Sequence, residues 1–367
     1  MKKFIPFFIT LLVSTGSGIA QRSQLNHFTV TGYYAGNTTA IDSIEAGKLT
    51  HLIFSFAHLD SNRISLGGAT DTIILNKMTL LKQKYPSLKV MVSLGGWGGC
   101  MTCSPVFAVS KSRIEFALSV KKLCDKFKLD GIDLDWEYPA IEGYPGHPYA
   151  ANDKTNFTEL IRALRQALGV KAEISFAAGG FGKFIEESVE WDKVMSLVNR
   201  VNLMSYDLVG GYSEVSGHHT PLYSNKVQKE SVDNGVRLLV SKGVPAGKIV
   251  IGGAFYGRIF SVSDSLNHGL NRPGNFYKGI SYKYLNDSIN PANGYEIYLD
   301  KISAAPYAFN ARRKLFATFD DSLSVTRKTR YAIHNKLNGI MFWQLMDDKF
   351  TGGLLNVIHQ ALINPSF

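Results

Sequence analysis

The chain has 367 residues, 45% hydrophobic and 12% aromatic, with a mean hydropathy of −0.03 and a formal net charge of +10. That balance excludes a disordered chain and a multi-span membrane protein, and leaves ample length for one large core. No run of five Lys or Arg occurs, and no helix-turn-helix, zinc-finger or RNA-recognition pattern is present, so the charge reads as solvated basic surface and no nucleic-acid partner is expected.

In chain order, Lys2 and Lys3 form a basic start, Phe4–Val13 an apolar run too short to span a bilayer, and Gly18-Ile19-Ala20 a small-residue cleavage site. Residues 1–20 therefore read as a secretory signal peptide, and the mature chain as secreted, extracellular or periplasmic. No later segment is apolar enough to cross a membrane. Strand-like runs follow at Phe28–Tyr34, Leu49–Ala57, Lys89–Leu94, Leu129–Glu137, Glu173–Ala178, Arg200–Asp207, Lys248–Phe255 and Gly339–Leu345. Helical patterns alternate with them, as at Ser110–Lys126, Asp153–Leu168 and Ser231–Lys242. Eight such units predict an α/β fold, the closed (β/α)8 TIM barrel. An open doubly wound sheet would need a Gly-rich phosphate turn after the first strand, and Gly32-Tyr33-Tyr34-Ala35-Gly36 is not one.

The spacing breaks once, over residues 259–315, between the seventh and eighth strands. That aromatic-rich stretch is too long for a structureless loop, so a small inserted α+β subdomain is expected there. The barrel itself takes residues 21–258 and 316–367. Cys100 and Cys103 are spaced for a small local disulfide, and the spacing alone does not decide whether it forms. Cys124, on the apolar face of a predicted helix, reads as an inert buried thiol. His218 and His219 are adjacent on a predicted loop with no carboxylate nearby in the sequence. No set of metal ligands is spaced for a site, so neither metal nor organic cofactor is expected.

The strongest chemical signal is Leu129-Asp130-Gly131-Ile132-Asp133-Leu134-Asp135-Trp136-Glu137-Tyr138-Pro139. Side chains alternate along a strand, so Asp133, Asp135 and Glu137 share one face and Ile132, Leu134 and Trp136 the other. The apolar face suits packing against the outer helices. The acids then point into the barrel at the C-terminal end of a strand, where barrel enzymes keep their active sites. Three stacked carboxyls in a core cannot all ionise, so at least one pKa must rise. A carboxylic acid of raised pKa is what protonates a leaving oxygen in glycoside hydrolysis.

Asp130-Gly131-Ile132-Asp133-Leu134-Asp135-Trp136-Glu137 resembles the D-G-x-D-x-D-x-E signature of family 18 glycoside hydrolases, the chitinase family. Ser93-Leu94-Gly95-Gly96-Trp97 resembles its S-x-G-G segment, Met204-Ser205-Tyr206-Asp207 its M-x-Y-D, and Tyr256-Gly257-Arg258 its Y-G-R. Met341-Phe342-Trp343 resembles the strand-eight segment with its floor tryptophan, and the inserted stretch with Pro306-Tyr307 the family's extra subdomain.

The resemblance implies hydrolysis of β-1,4-linked N-acetylglucosamine polymers, with chitin or its oligosaccharides as partner, by a monomer. It also implies a retaining, substrate-assisted mechanism in which the sugar's acetamido oxygen attacks the anomeric carbon. Glu137 would be the acid and then the base, Asp135 would hold the acetamido N–H, and Asp133 would share a proton with Asp135, backed by Tyr33 and Ser93. Tyr206 and Asp207 would orient the acetamido group and the bent sugar. Trp343 and Trp97 would stack on sugars on either side of the cut, with Phe56 and Tyr256 as further aromatic contacts and Arg258 binding hydroxyls. Two other readings fit the resemblance. One is an endo-β-N-acetylglucosaminidase acting on glycans. The other is a sugar-binding lectin, which typically lacks the terminal acid that Glu137 supplies here.

Overall fold

The computed structural model describes residues 28–364, so the expected signal peptide lies outside the described residues. The strands in chain order are β1 (Thr29–Tyr34), β2 (His51–Asp60), β3 (Arg63–Ser65), β4 (Lys89–Gly95), β5 (Gly131–Asp135), β6 (Glu173–Gly179), β7 (Arg200–Met204) and β8 (Ile249–Ala254). Then come β9 (Tyr256–Val262), β10 (Gly274–Ser281), β11 (Glu296–Asp300), β12 (Ala305–Asn310), β13 (Leu315–Phe319) and β14 (Gly339–Trp343). Eight of them run parallel in the order β1-β14-β8-β7-β6-β5-β4-β2, and β1 also pairs with β2, which closes the barrel. The closed sheet is the (β/α)8 architecture that the alternating pattern predicts, and β3 adds only a hairpin edge to β2.

Strand alternation produces two hydrophobic layers. Outward residues such as Ile132, Leu134, Ile174, Val201 and Ile251 pack against the surrounding helices in the main core. Inward residues Tyr33, Ile53, Met91, Ala177, Met204, Val250 and Met341 fill the barrel interior. The helix Asp153–Leu168 shows how the outer layer is made. Phe157, Leu160, Ile161 and Leu164 repeat at helical spacing on one buried stripe, and Gly169, at φ 76°, ends the helix. Trp136 packs between Phe107 and Phe157 in this layer, as its place on the apolar face requires. Cys100 and Cys103 are disulfide-bonded, which decides the pairing that the spacing left open. Cys124 is a buried free thiol, its pKa pushed up to about 12 chiefly by burial.

After β8 the chain leaves the barrel for a five-stranded antiparallel sheet, order β10-β9-β13-β12-β11. The sheet begins at Tyr256 and ends at Phe319, so it takes in Tyr256, Gly257, Arg258 and Phe316–Phe319, which the sequence reading assigns to the barrel. The spacing of apolar residues shows where regular barrel units stop, but not that a single residue, Phe255, separates β8 from β9. Phe260, Val262, Leu270, Tyr307, Phe309 and Phe316 form the sheet's own small core.

A buried ion pair ties the sheet's exit to the barrel. Lys328, on the helix Ser322–His334, donates to Asp320 Oδ2 at 2.6 Å, and both side chains are almost fully buried. Asp320 Oδ2 also accepts from the Ala254 N–H at the end of β8. Removing one member leaves the other charge uncompensated in the core, which costs about 3–5 kcal/mol. Lys328→Met should therefore lower unfolding stability by about that amount, a loss read from the shift of the denaturation midpoint at constant m.

Candidate active site

The acid-bearing strand owes its position to close backbone packing. A Cβ on Gly131 would lie 1.8 Å from the Glu173 carbonyl oxygen of β6, and one on Gly95, at φ +112°, would lie 2.1 Å from the Asp135 carbonyl oxygen. Only glycine allows β5 to nest this closely between its neighbours. The parallel register then sets Ser93 of β4 and Ser175 of β6 on either side of Asp133.

Asp133 is fully buried and accepts four hydrogen bonds. Tyr33 Oη (3.0 Å) and Ser93 Oγ (2.9 Å) donate to Oδ2, and Ser175 Oγ (2.6 Å) and Asn202 Nδ2 (3.0 Å) donate to Oδ1. Burial raises its pKa, and the four donors pull it back. Asp135 lies one inward position higher, and its Oδ1 has no hydrogen-bond partner among the described residues. Burial and the neighbouring Glu137 and Asp133 push it well above the carboxylate range. Glu137 is pushed up to about 7 by burial, with a hydrogen bond from Tyr138 opposing and the charge of Asp207 adding to the rise. Donors concentrated at Asp133 favour negative charge at the base of the stack, and burial favours protons on the two acids above.

Asp135 and Glu137 line a cavity of about 790 Å³ at the C-terminal mouth of the barrel. Phe56, Trp97, Tyr206, Asp207, Tyr256, Arg258 and Trp343 line it too. Tyr33, Ser93 and Asp133 lie beneath the floor, as a supporting layer rather than a wall. Phe56 stacks on Trp343, with centroids 5.4 Å apart and planes at 15°. Trp97 is 46% exposed and touches Tyr138, Tyr144 and Tyr212 edge-on or tilted. Trp97 and Phe56 also form the wall of an adjoining cavity of about 680 Å³. The insertion closes one side of the cleft. Arg258 of β9 donates to both carboxylate oxygens of Asp207, at 2.7 and 2.6 Å, and packs over the Tyr256 and Phe276 rings. Burial works against ionisation of Asp207, but His219 and Arg258 outweigh it and hold the carboxyl well below its usual range.

Several residues of the site escape sequence reasoning. Ser175 and Asn202 carry half of the Asp133 network, and only their inward places on β6 and β7 could have marked them. Tyr138, Phe181, Tyr212 and Phe276 add aromatic surface to the cleft. The reading of His218 and His219 needs correction. The fold brings Asp300 to within 3.1 Å of His218 Nε2 and, within one loop, Asp207 to 3.6 Å from His219 Nδ1, contacts invisible to local spacing. Among the described residues, no group of three or more His, Cys, Asp or Glu is placed to hold a metal, and no helix is long and apolar enough to cross a membrane.

A closed parallel barrel with stacked acids and an aromatic cleft at its C-terminal mouth defines a carbohydrate-hydrolase site. The sequence profile of glycosyl hydrolases family 18 matches residues 29–348, and the chain belongs to that family as a chitinase-type glycosyl hydrolase. Chitinase A1 of Niallia circulans is 31% identical over 323 residues, covering 79% of this chain, and the match spans 45% of that relative's length. Chitotriosidase-1 of Mus musculus is 29% identical over 332 residues, covering 85% of this chain and 70% of that protein. A solved family 18 N-acetylglucosaminidase from Paenibacillus barengoltzii superposes with a TM-score of 0.83 at 34% identity, covering 91% of this chain and 99% of that one.

If Glu137 delivers the proton, it must be protonated to act, so kcat/KM should fall as pH rises through about 7. Asp207→Asn removes a negative charge that raises Glu137, and should move this alkaline limb to lower pH. A pH–rate profile of both proteins reads the shift, and a limb that stays in place or moves upward contradicts the electrostatic account.

Proposed function

We propose that the protein is a secreted chitinase that hydrolyses β-1,4-linked N-acetylglucosamine polymers by a retaining, substrate-assisted mechanism. The observation that carries this reading is the vertical order of the acids, with a donor-saturated Asp133 at the base and Asp135 and Glu137, both raised in pKa by burial, facing the cleft. Glu137 gives its proton to the glycosidic oxygen as that bond breaks, and the acetamido oxygen of the same sugar bonds to the anomeric carbon. Asp135 gives its proton to the Asp133 carboxylate and, as an anion, accepts the acetamido N–H and stabilises the developing positive charge. Glu137, now a carboxylate, removes a proton from the water that opens the oxazolinium ring. Tyr206 and Asp207 orient the acetamido group and the bent sugar. Trp343 and Trp97 stack against sugar faces, supported by Phe56 and Tyr256, while Arg258 holds Asp207.

An ordinary retaining enzyme sets its nucleophile across the bond from the acid, with the two carboxyls about 5–5.5 Å apart. Asp135 instead shares a strand face with Glu137, two residues and about 6.6–6.8 Å along the backbone. That placement suits a group that steadies an internal nucleophile. A second reading, endo-β-N-acetylglucosaminidase on glycans, uses the same chemistry on a different leaving group, and the likeness to the Paenibacillus barengoltzii N-acetylglucosaminidase fits it.

Product release from chitin oligomers of graded length, with an N-glycosylated protein as control, separates the two readings. Glu137→Gln should lose about 10²–10⁴ in kcat while still binding the oligomers. More than a tenth of the original turnover would remove Glu137 from its role. Fully deacetylated chitosan oligomers should remain intact, and the first product from acetylated chains should be the β-anomer by NMR. Efficient cleavage of deacetylated chains would require a protein carboxylate in place of the acetamido group, and initial release of the α-anomer would mean inversion by a directly attacking water.

A further inference from the structure

His219 is fully buried in the loop after β7, and the mechanism above gives it no task. Its backbone N–H donates to Thr318 Oγ1 of β13 at 3.1 Å, and its ring rests against Tyr256, so both barrel loop and insertion sheet fix its place. Neither ring nitrogen has a hydrogen-bond partner among the described residues. A buried polar N–H left unpaired is unfavourable and demands a reason. An acceptor stands just out of reach, because Nδ1 lies 3.6 Å from Asp207 Oδ1, beyond the range of about 2.7–3.2 Å for a formed bond. Asp207 itself is held unusually. It adopts the left-handed region at φ 55°, which is uncommon for a non-glycine residue, and both of its oxygens are taken by Arg258.

We propose that His219 is a positioning residue for Asp207, donating Nδ1–H to Oδ1 when an N-acetylglucosaminyl unit fills the cleft and so fixing that carboxylate beside Glu137. The inference rests on the reading of Glu137 as the acid. Hydrogen bonds of an active site are often long in the free protein and close only in the complex, and the gap to be closed here is under 1 Å. The surroundings favour a neutral donor. Burial holds His219 below its usual pKa, although Asp207 and Asp320 pull upward, while Arg258 adds to the lowering. Asp207 in turn faces Glu137, Tyr138, Tyr206 and Tyr256, and Arg258 already supplies its cationic partner, so a neutral imidazole adds a donor without adding a charge.

The test combines spectroscopy on the unaltered protein with a mutant cycle. Imidazole ¹⁵N NMR is recorded free and with a thio-linked N-acetylglucosamine oligomer that is not cleaved. The expected bound state is a neutral Nδ1–H tautomer with a deshielded proton and no titration over roughly pH 5 to 8. An Nε2–H tautomer in the complex, or a ring that charges in that interval, overturns the proposal. His219→Leu should lower kcat about ten-fold with KM nearly unchanged, and His219→Gln, which keeps a donor, should recover most of the loss. In an Asp207→Asn background, His219→Leu should cost less than about two-fold further, because the partner is already gone. Equal losses in both backgrounds, or a Gln variant as impaired as Leu, would make His219 a packing residue only. Should the Leu variant fail to fold, the NMR result on the unaltered protein decides alone. Activity retained by Glu137→Gln would instead strike at the reading of the acid, leaving the tautomer and coupling results to judge His219 separately.

Discussion

The site depends on how the buried interior of the barrel accommodates a carboxylate at Asp133. A buried ion with unfilled lone pairs is costly, and Asp133 meets the cost with four donors from four different strands, β1, β4, β6 and β7. Those donors leave Asp133 the favoured place for a charge, so Asp135 above it is disfavoured as an anion by both burial and proximity. At the base of the barrel, Arg200 pairs with Glu173 at 2.6 Å, and its field acts in the same direction, toward an ionised Asp133. The raised pKa of Asp135 is thus tied to the charge favoured at Asp133 beneath it, while Glu137 is raised by its own burial and by Asp207.

The insertion completes what the barrel begins. The barrel's own loop supplies His219 beside Asp207, and the insertion supplies the cation. β9 brings Arg258 against Asp207 and Tyr256 beside it, and β13 brings Thr318 under His219. The charge that results is fixed next to Glu137 and helps to keep that acid protonated. The buried Lys328–Asp320 pair, joined to Ala254, anchors the sheet's exit to the barrel strand from which the sheet departs.

Much of this was legible because strand geometry is local. The period of two puts Asp133, Asp135 and Glu137 on one face from eleven consecutive residues, and the apolar partners Ile132, Leu134 and Trp136 give that face its direction. Eight strand patterns alternating with helices give the barrel for the same reason. Contacts set by inter-strand register or by loops were not legible. Ser175 and Asn202 are unremarkable polar residues until β6 and β7 are placed beside β5. His219 and Asp207 lie on one loop, yet only the fold shows that their side chains converge. The sheet's true start at Tyr256 was hidden because β8 and β9 adjoin in the sequence with one residue between them.

The account's central claim concerns where the protons are, and neutron diffraction of deuterium-exchanged crystals near pH 6 observes them directly. The prediction is a bare carboxylate at Asp133, four deuterons pointing toward it from Tyr33, Ser93, Ser175 and Asn202, and a deuteron on each of Asp135 and Glu137. A deuteron on Asp133 together with an ionised Asp135 would contradict the claim.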